Sequence, residues 1–287
     1  MVPFRVIRGA ALALLLLAIA CRRDLAATVL AHARTVPPST ALQADVTRFA
    51  RVGMHRPIVF NRRPADDEIA IIFVDPATDW EALARNDAAA RYVHDNCYTS
   101  AAGRTVVCDG AVLVKRPDVL LDVPATEEQR LAFARWILGH ELGHIATATA
   151  GFHTDPRTDL HRARDLAQQR REYAADCWMV HTFERAVPLA EQIAFESFAI
   201  DVINAHFRRA EPDRPAGVGL IFDYTKTDPY DFRGGGTHPD TILRSIRILH
   251  VAADARHDRS LQQLIAPLVR KLVPDPLWTD RGPCGLS

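Results

Sequence analysis

Apolar positions recur at helical spacing through the second half of this chain and gather in short unbroken runs before it. From Thr126 onward, Phe133, Trp136, Ile137, His140 and His144 fall on one stripe, the period of a helix with one face turned inward. Thr126 followed by Gln129 forms the capping-box pattern that starts such a helix. The run 158–184 is helical by composition, and Leu189–Phe207, Asp240–Ala253 and Leu261–Val273 repeat apolar residues at the same spacing. Upstream the pattern changes. Glu68–Asp75, EIAIIFVD, predicts a buried strand, and Thr105–Lys115 predicts a second. Between them Trp80–His94 predicts a helix, with Trp80, Leu83, Ala84, Ala88 and Tyr92 on related faces. Asp109-Gly110 is expected to form a two-residue hairpin turn or a bulge. Residues 24–53 predict two short helices broken at Pro37-Pro38, a tether ahead of the domain. Glu211–Gly236, rich in Pro, Gly, Asp and Tyr, has no period and is expected to loop over a cleft. Together these elements predict an α+β protein, mostly helical, with a small sheet preceding the Thr126 helix.

The first residues change the picture of where the chain resides. Arg5 and Arg8 precede an apolar run, Gly9–Ala20, too short to span a bilayer comfortably but suited to a signal-peptide core. Leu17-Ala18-Ile19-Ala20-Cys21 resembles a bacterial lipobox, which implies cleavage before Cys21 and membrane association through a lipid on it. An ordinary signal peptide with an incidental cysteine, or an uncleaved anchor, is the alternative. The expected organisation is 1–21 signal peptide, 22–53 tether and 54–287 one domain, exported to the periplasm or cell envelope. Lys plus Arg total 35 and Asp plus Glu total 35, so no net field draws the protein to nucleic acid. The basic cluster Arg162–Arg171 is expected to be a solvated helix face. Setting Cys21 aside leaves Cys97, Cys108, Cys177 and Cys284, an even number for an oxidising compartment. Cys97 and Cys108 flank a polar turn and can close a small loop worth about 3 kcal/mol in the chain-entropy picture. Cys177 then pairs with Cys284 by elimination, or stays a buried thiol.

The candidate chemistry lies in His140-Glu141-Leu142-Gly143-His144. Histidines four apart on a helix share one face about a turn apart, so both imidazoles can reach a single Zn²⁺. Glu141, turned to the side of that stripe, can act as general base toward a metal-activated water without being a ligand. A catalytic zinc needs a third protein ligand, and Glu172 is the candidate. Asp176 lies four residues further on the same face, placed to accept the spare N–H of a ligand histidine. A metzincin continuation fails, because Thr147 and Ala150 stand at its Gly and His positions. His153 and His161 are alternative ligands in a connection containing Pro and Asp, where histidine is more often only exposed.

HELGH followed by Glu172-Tyr173-Ala174-Ala175-Asp176 resembles the gluzincin zinc metallopeptidases, and implies a zincin-like fold with zinc held by His140, His144 and Glu172. Thr237-His238-Pro239 with Arg244 and Arg247 in TILRSIRIL resembles the THP…R element of the HtpX-like and prenyl-endopeptidase-like branch, which implies that His238 and a following arginine lie near the active site. The chain departs from that branch in a shorter separation of His144 from Glu172 and in lacking a transmembrane hairpin. The implied activity is endopeptidase cleavage of a protein or peptide substrate, with His238 or Arg244, or loop residues Tyr224 and Tyr230, stabilising the oxyanion. The predicted strands are candidates to pair with extended substrate, or are ordinary interior strands. The rival functions are a non-catalytic envelope adaptor or chaperone and a metallohydrolase of a non-peptide amide.

Overall fold

The computed structural model describes residues 25–100, 103–148, 162–210 and 241–272. Cys21, His153, His161, Tyr224, Tyr230, His238 and Cys284 lie outside those residues. The described chain is α+β, mostly helical with a small four-stranded sheet. Its elements are α1 Leu25–His32, α2 Thr40–Gly53, β1 Ile58–Phe60, β2 Ile69–Val74, α3 Trp80–Asn86, β3 Cys97–Thr99, β4 Thr105–Asp109, α4 Val112–Leu121 and α5 Glu127–Ala146. They continue as α6 Arg162–Ala186, α7 Leu189–Ala210, α8 Thr241–Ala255 and α9 Arg259–Leu272.

The sheet order is β1-β2-β4-β3, with β1, β2 and β4 parallel and β3 antiparallel to β4. Every residue of β2 is buried, as a parallel strand covered on both faces requires. Ile69, Ile71 and Phe73 turn toward the main helical core, while Ile72 and Val74 pack with Leu25, Val29, Trp80 and Leu83 on the other side. Both strands named from sequence are therefore interior, and the edges that could take up an extended peptide are β1 and β3. Cys97 and Cys108 face each other across β3 and β4 and are disulfide-bonded.

Several expectations are corrected. The segment read as a single strand through Lys115 leaves the sheet at Asp109 and becomes α4. Asp109-Gly110 is a strand-to-helix junction rather than a hairpin turn or bulge. There Asp109 accepts backbone N–H bonds from Asp95 at 3.0 Å and Ala111 at 2.9 Å. Gly110 runs so close to β2 that a Cβ would sit 2.7 Å from the Val74 carbonyl oxygen. The Trp80–His94 helix breaks at Asp87, whose side chain accepts from Ala89 N and starts a separate 3₁₀ turn over Ala88–Tyr92. The two helices before Gly53 are present, but they are part of the folded unit rather than a tether. Phe49 and Val46 are fully buried, and Asp45 pairs with buried Arg135 of α5 at 2.9 Å. Cys177 is itself disulfide-bonded, which removes its reading as a free thiol; its partner lies outside the described residues.

The capping box forms as the sequence predicts, with Thr126 and Gln129 exchanging hydrogen bonds at the start of α5. Two turns later α5 is buried on all sides, the behaviour of a helix at the centre of a bundle. It packs on α2, α4, α6, α7 and β3. His140 through His144 are all buried, and His140 and Glu141 line a cavity.

Candidate metal centre

His140 and His144 stand one turn apart near the end of α5, 4% and 3% exposed. Their rings meet edge-on with centroids 4.5 Å apart. What brings α6 to them is the absence of side chains at Gly139 and Gly143. A Cβ on Gly139 would lie 2.6 Å from Cγ of Met179, and one on Gly143 would run into the backbone of Ala175. The close approach carries Glu172, one turn before Ala175 and itself 0% exposed, to the histidine nitrogens.

Three ligand-type atoms then converge. His140 Nε2 is 3.0 Å from His144 Nε2 and 3.1 Å from Glu172 Oε2, and His144 Nε2 is 3.6 Å from the same oxygen. These separations suit ligands sharing one ion at the usual bond lengths of about 2.0–2.2 Å. The tautomer agrees. Asp176 Oδ1 lies 2.8 Å from His140 Nδ1, so Nδ1 carries a hydrogen, and once the Nε2 proton is lost that nitrogen presents a lone pair toward His144 Nε2 and the Glu172 carboxylate. Such a meeting of acceptors is satisfied by a cation, and two imidazoles with one carboxylate form a donor set that suits catalytic zinc. Among the described residues one other group assembles three ligand-type side chains, His94, Asp95 and Asp109. Its first two members are exposed, and Asp109 is already committed to backbone N–H groups.

The charges around the centre are fixed by what lies behind it. Arg244 of α8 donates Nε to Asp176 Oδ2 at 2.9 Å and Nη2 to Oδ1 at 2.7 Å, while its guanidinium lies 5.6 Å from the Trp136 ring. The residue expected to face the oxyanion therefore holds the aspartate that orients His140, although it also borders the cavity. Burial raises the carboxyl pKa of Asp176, but Arg244 and His140 outweigh it and hold it well below the usual range. Burial likewise works against ionised Glu172, and its hydrogen bonds to the two histidines overcome it. For His140, burial and the Arg244 charge disfavour a proton. Asp176 and Glu172 together outweigh both and raise its pKa to about 9.

In the metal-free protein His140 holds its proton below about pH 9, and a metal must displace it. Calorimetry in buffers of different ionisation enthalpy should show at least about one proton released per zinc near pH 7–8, with apparent affinity rising roughly tenfold per pH unit toward 9. The raised pKa also stabilises the metal-free fold below the unfolded value of about 6.5, a contribution lost as pH climbs through about 9.

Glu141, next to His140 and 4% exposed, is not one of the three converging donors. Its carboxylate Oε2 accepts from the Thr99 hydroxyl of β3 at 2.5 Å, and the same hydroxyl lies 3.0 Å from the Glu141 carbonyl oxygen. Thr99 reads from sequence as part of the polar turn between Cys97 and Cys108. The available signal was the disulfide, because once Cys97 pairs with Cys108, Thr99 two residues on shares its face.

His140, Glu141 and Arg244 open onto a cavity of about 410 Å³, walled on one part by Val112, Leu120, Phe133, Trp136 and Ile137 and on another by Tyr92, His94, Asp95, Asn96 and Arg116. His238 and the 211–236 loop, expected over this cleft, lie outside the described residues. No family model, curated protein or solved structure matches this chain. No helix among the described residues is long and apolar enough to cross a membrane.

Proposed function

We propose that this protein is a zinc-dependent endopeptidase of gluzincin type with a zincin-like fold, exported to the cell envelope and acting on protein or peptide substrates. The observation that carries the reading is the convergence of His140 Nε2, His144 Nε2 and Glu172 Oε2 within 3.6 Å of one another. When bound there, zinc would supply Lewis-acid polarisation of the scissile carbonyl and acidify water toward a pKa of about 7.

The chain's own groups do the rest. Asp176, held by Arg244, keeps the hydrogen of His140 on Nδ1 and its lone pair on Nε2. Glu141 takes a proton from the attacking water and returns it to the leaving amine. The Glu141 side chain borders the cavity beside His140, and no protein group bonds its Oε1 among the described residues. A structural metal site has no use for such a carboxylate, which favours catalysis over an adaptor role. The apolar stretch of the wall, Val112, Leu120, Phe133 and Ile137, receives an apolar side chain of the substrate, while Asp95, Arg116 and Arg244 line the same cavity.

Two measurements test this reading. Mass spectrometry should find about one zinc per chain in the parent, with casein cleavage abolished by chelator, whereas Glu172→Ala should lose both metal and cleavage. A Glu172→Ala variant that binds zinc as tightly as the parent would rule out the ligand set. Leu120→Trp, which fills the cavity wall, is expected to lower kcat/KM for peptides carrying a bulky apolar residue about tenfold relative to alanine analogues.

A further inference from the structure

The strand β3 is one edge of the sheet, and two of its three residues are fastened. Cys97 is bonded to Cys108 of β4, and Thr99 reaches across to α5. Thr99 is 0% exposed, so no water competes for its hydroxyl. Both of its acceptors belong to one residue, the main-chain carbonyl and the side-chain carboxylate of Glu141. A hydroxyl has one hydrogen to give, and the shorter contact takes it; the carbonyl at 3.0 Å fixes where the hydroxyl oxygen sits. The carboxylate is thereby tied by Oε2, on a residue that lines the cavity. Free of Thr99, a glutamate side chain has three rotatable bonds to disorder, and among the described residues no other hydrogen bond holds its carboxylate, which then feels only the charge of Arg244.

We propose that Thr99 is a positioning residue for Glu141, and that the Cys97–Cys108 bridge acts through it by holding β3 in register. This rests on the peptidase reading, and it adds to that reading a residue from a different element whose only link to the chemistry is the orientation of the base. Preorganisation of this kind appears in turnover rather than in metal or substrate binding, because the hydroxyl touches neither.

The test uses the full zinc-loaded protein and a quenched fluorescent peptide. Thr99→Val, of nearly the same shape but without a hydroxyl, should lower kcat about 10–100-fold, the worth of a hydrogen bond to a charged group. KM should stay within about twofold, and zinc should stay at about one per chain. Thr99→Ser should restore most of the rate. In a Glu141→Gln background, Thr99→Val should cost nothing further, because the group it orients no longer accepts a proton. Replacing both Cys97 and Cys108 by Ala should lower kcat in the same direction without loss of zinc. Should valine not be accommodated in the core, Thr99→Ala removes the same hydroxyl without added bulk. The proposal is overturned by a Thr99→Val or Thr99→Ala protein with parental kcat, by failure of serine to restore the rate, or by an equal loss in the Glu141→Gln background. A parent that cleaves no peptide when zinc-loaded overturns the peptidase reading itself, and this inference with it.

Discussion

Glu141→Gln is expected to lower turnover about 10²–10⁴-fold, the usual contribution of a positioned general base, while the protein keeps about one zinc per chain. The substitution preserves shape and leaves an oxygen for Thr99 to bond, so neither β3 nor α5 needs to move. It also leaves His140, His144 and Glu172 untouched, because Glu141 is not among the converging donors. What it removes is the ability to hold a proton between water attack and amine departure. Steady-state cleavage of a fluorogenic peptide beside metal analysis of the same sample checks both halves. Parental turnover would exclude Glu141 as the base, and loss of zinc would mean that the carboxylate belongs to the ligand set.

The second large effect is expected at Asp176, where one side chain serves two partners. Asp176 is 1% exposed, and the Arg244 side chain it binds is 16% exposed. Asp176→Asn leaves that guanidinium largely buried without its counter-charge, which typically costs about 3–5 kcal/mol. The asparagine can also offer N–H to His140 Nδ1, which favours the tautomer whose Nε2 carries hydrogen, and metal affinity should fall about 10–100-fold. Urea denaturation of the metal-free protein and competitive zinc titration separate the two losses. A double variant with Arg244→Met should recover much of the stability but not the affinity, since the stranded charge is gone while the histidine remains unoriented. Because the Asp176 carboxyl is held well below its usual range, its contribution is present above the unfolded value of about 3.9 and is lost only in strong acid. A stable, tightly zinc-binding Asp176→Asn protein would count against the assigned role.

The legible part of this molecule was local. The four-residue spacing of His140 and His144 and the capping box at Thr126 are written in consecutive turns of one helix. A helix converts sequence separation directly into direction in space. The same logic applied to Glu172 and Asp176 on α6, and the structure brings both carboxylates to His140. The unbroken apolar run 69–74 likewise announced a strand buried on both faces.

Failures came where neighbours decide. Val112–Leu121 carries an apolar stretch that continues a strand as readily as it starts a helix. Only Asp109, occupied by two backbone N–H groups from opposite directions, ends the strand there. The helices before Gly53 looked like a tether because short amphipathic segments bury nothing by themselves. Packed on the sheet and on α5, they supply Phe49 and Asp45 to the interior. Arg244 drew notice through its motif and does border the cavity beside His140 and Glu141, but its pairing with Asp176 was not legible, because an arginine's reach admits many partners until the fold places one before it.

By itself, then, the sequence determined which side chains a single helix presents together: two histidines one turn apart with a glutamate beside them on one helix, and two carboxylates one turn apart on another. Tertiary structure decided how those helices meet. Gly139 and Gly143 let α6 approach until Glu172 reaches the histidine nitrogens, and a disulfide-braced edge strand sets Thr99 against Glu141. The physical reason is that helical periodicity acts over a few residues, whereas contacts between residues 42 or 68 positions apart exist only after the core has closed around them.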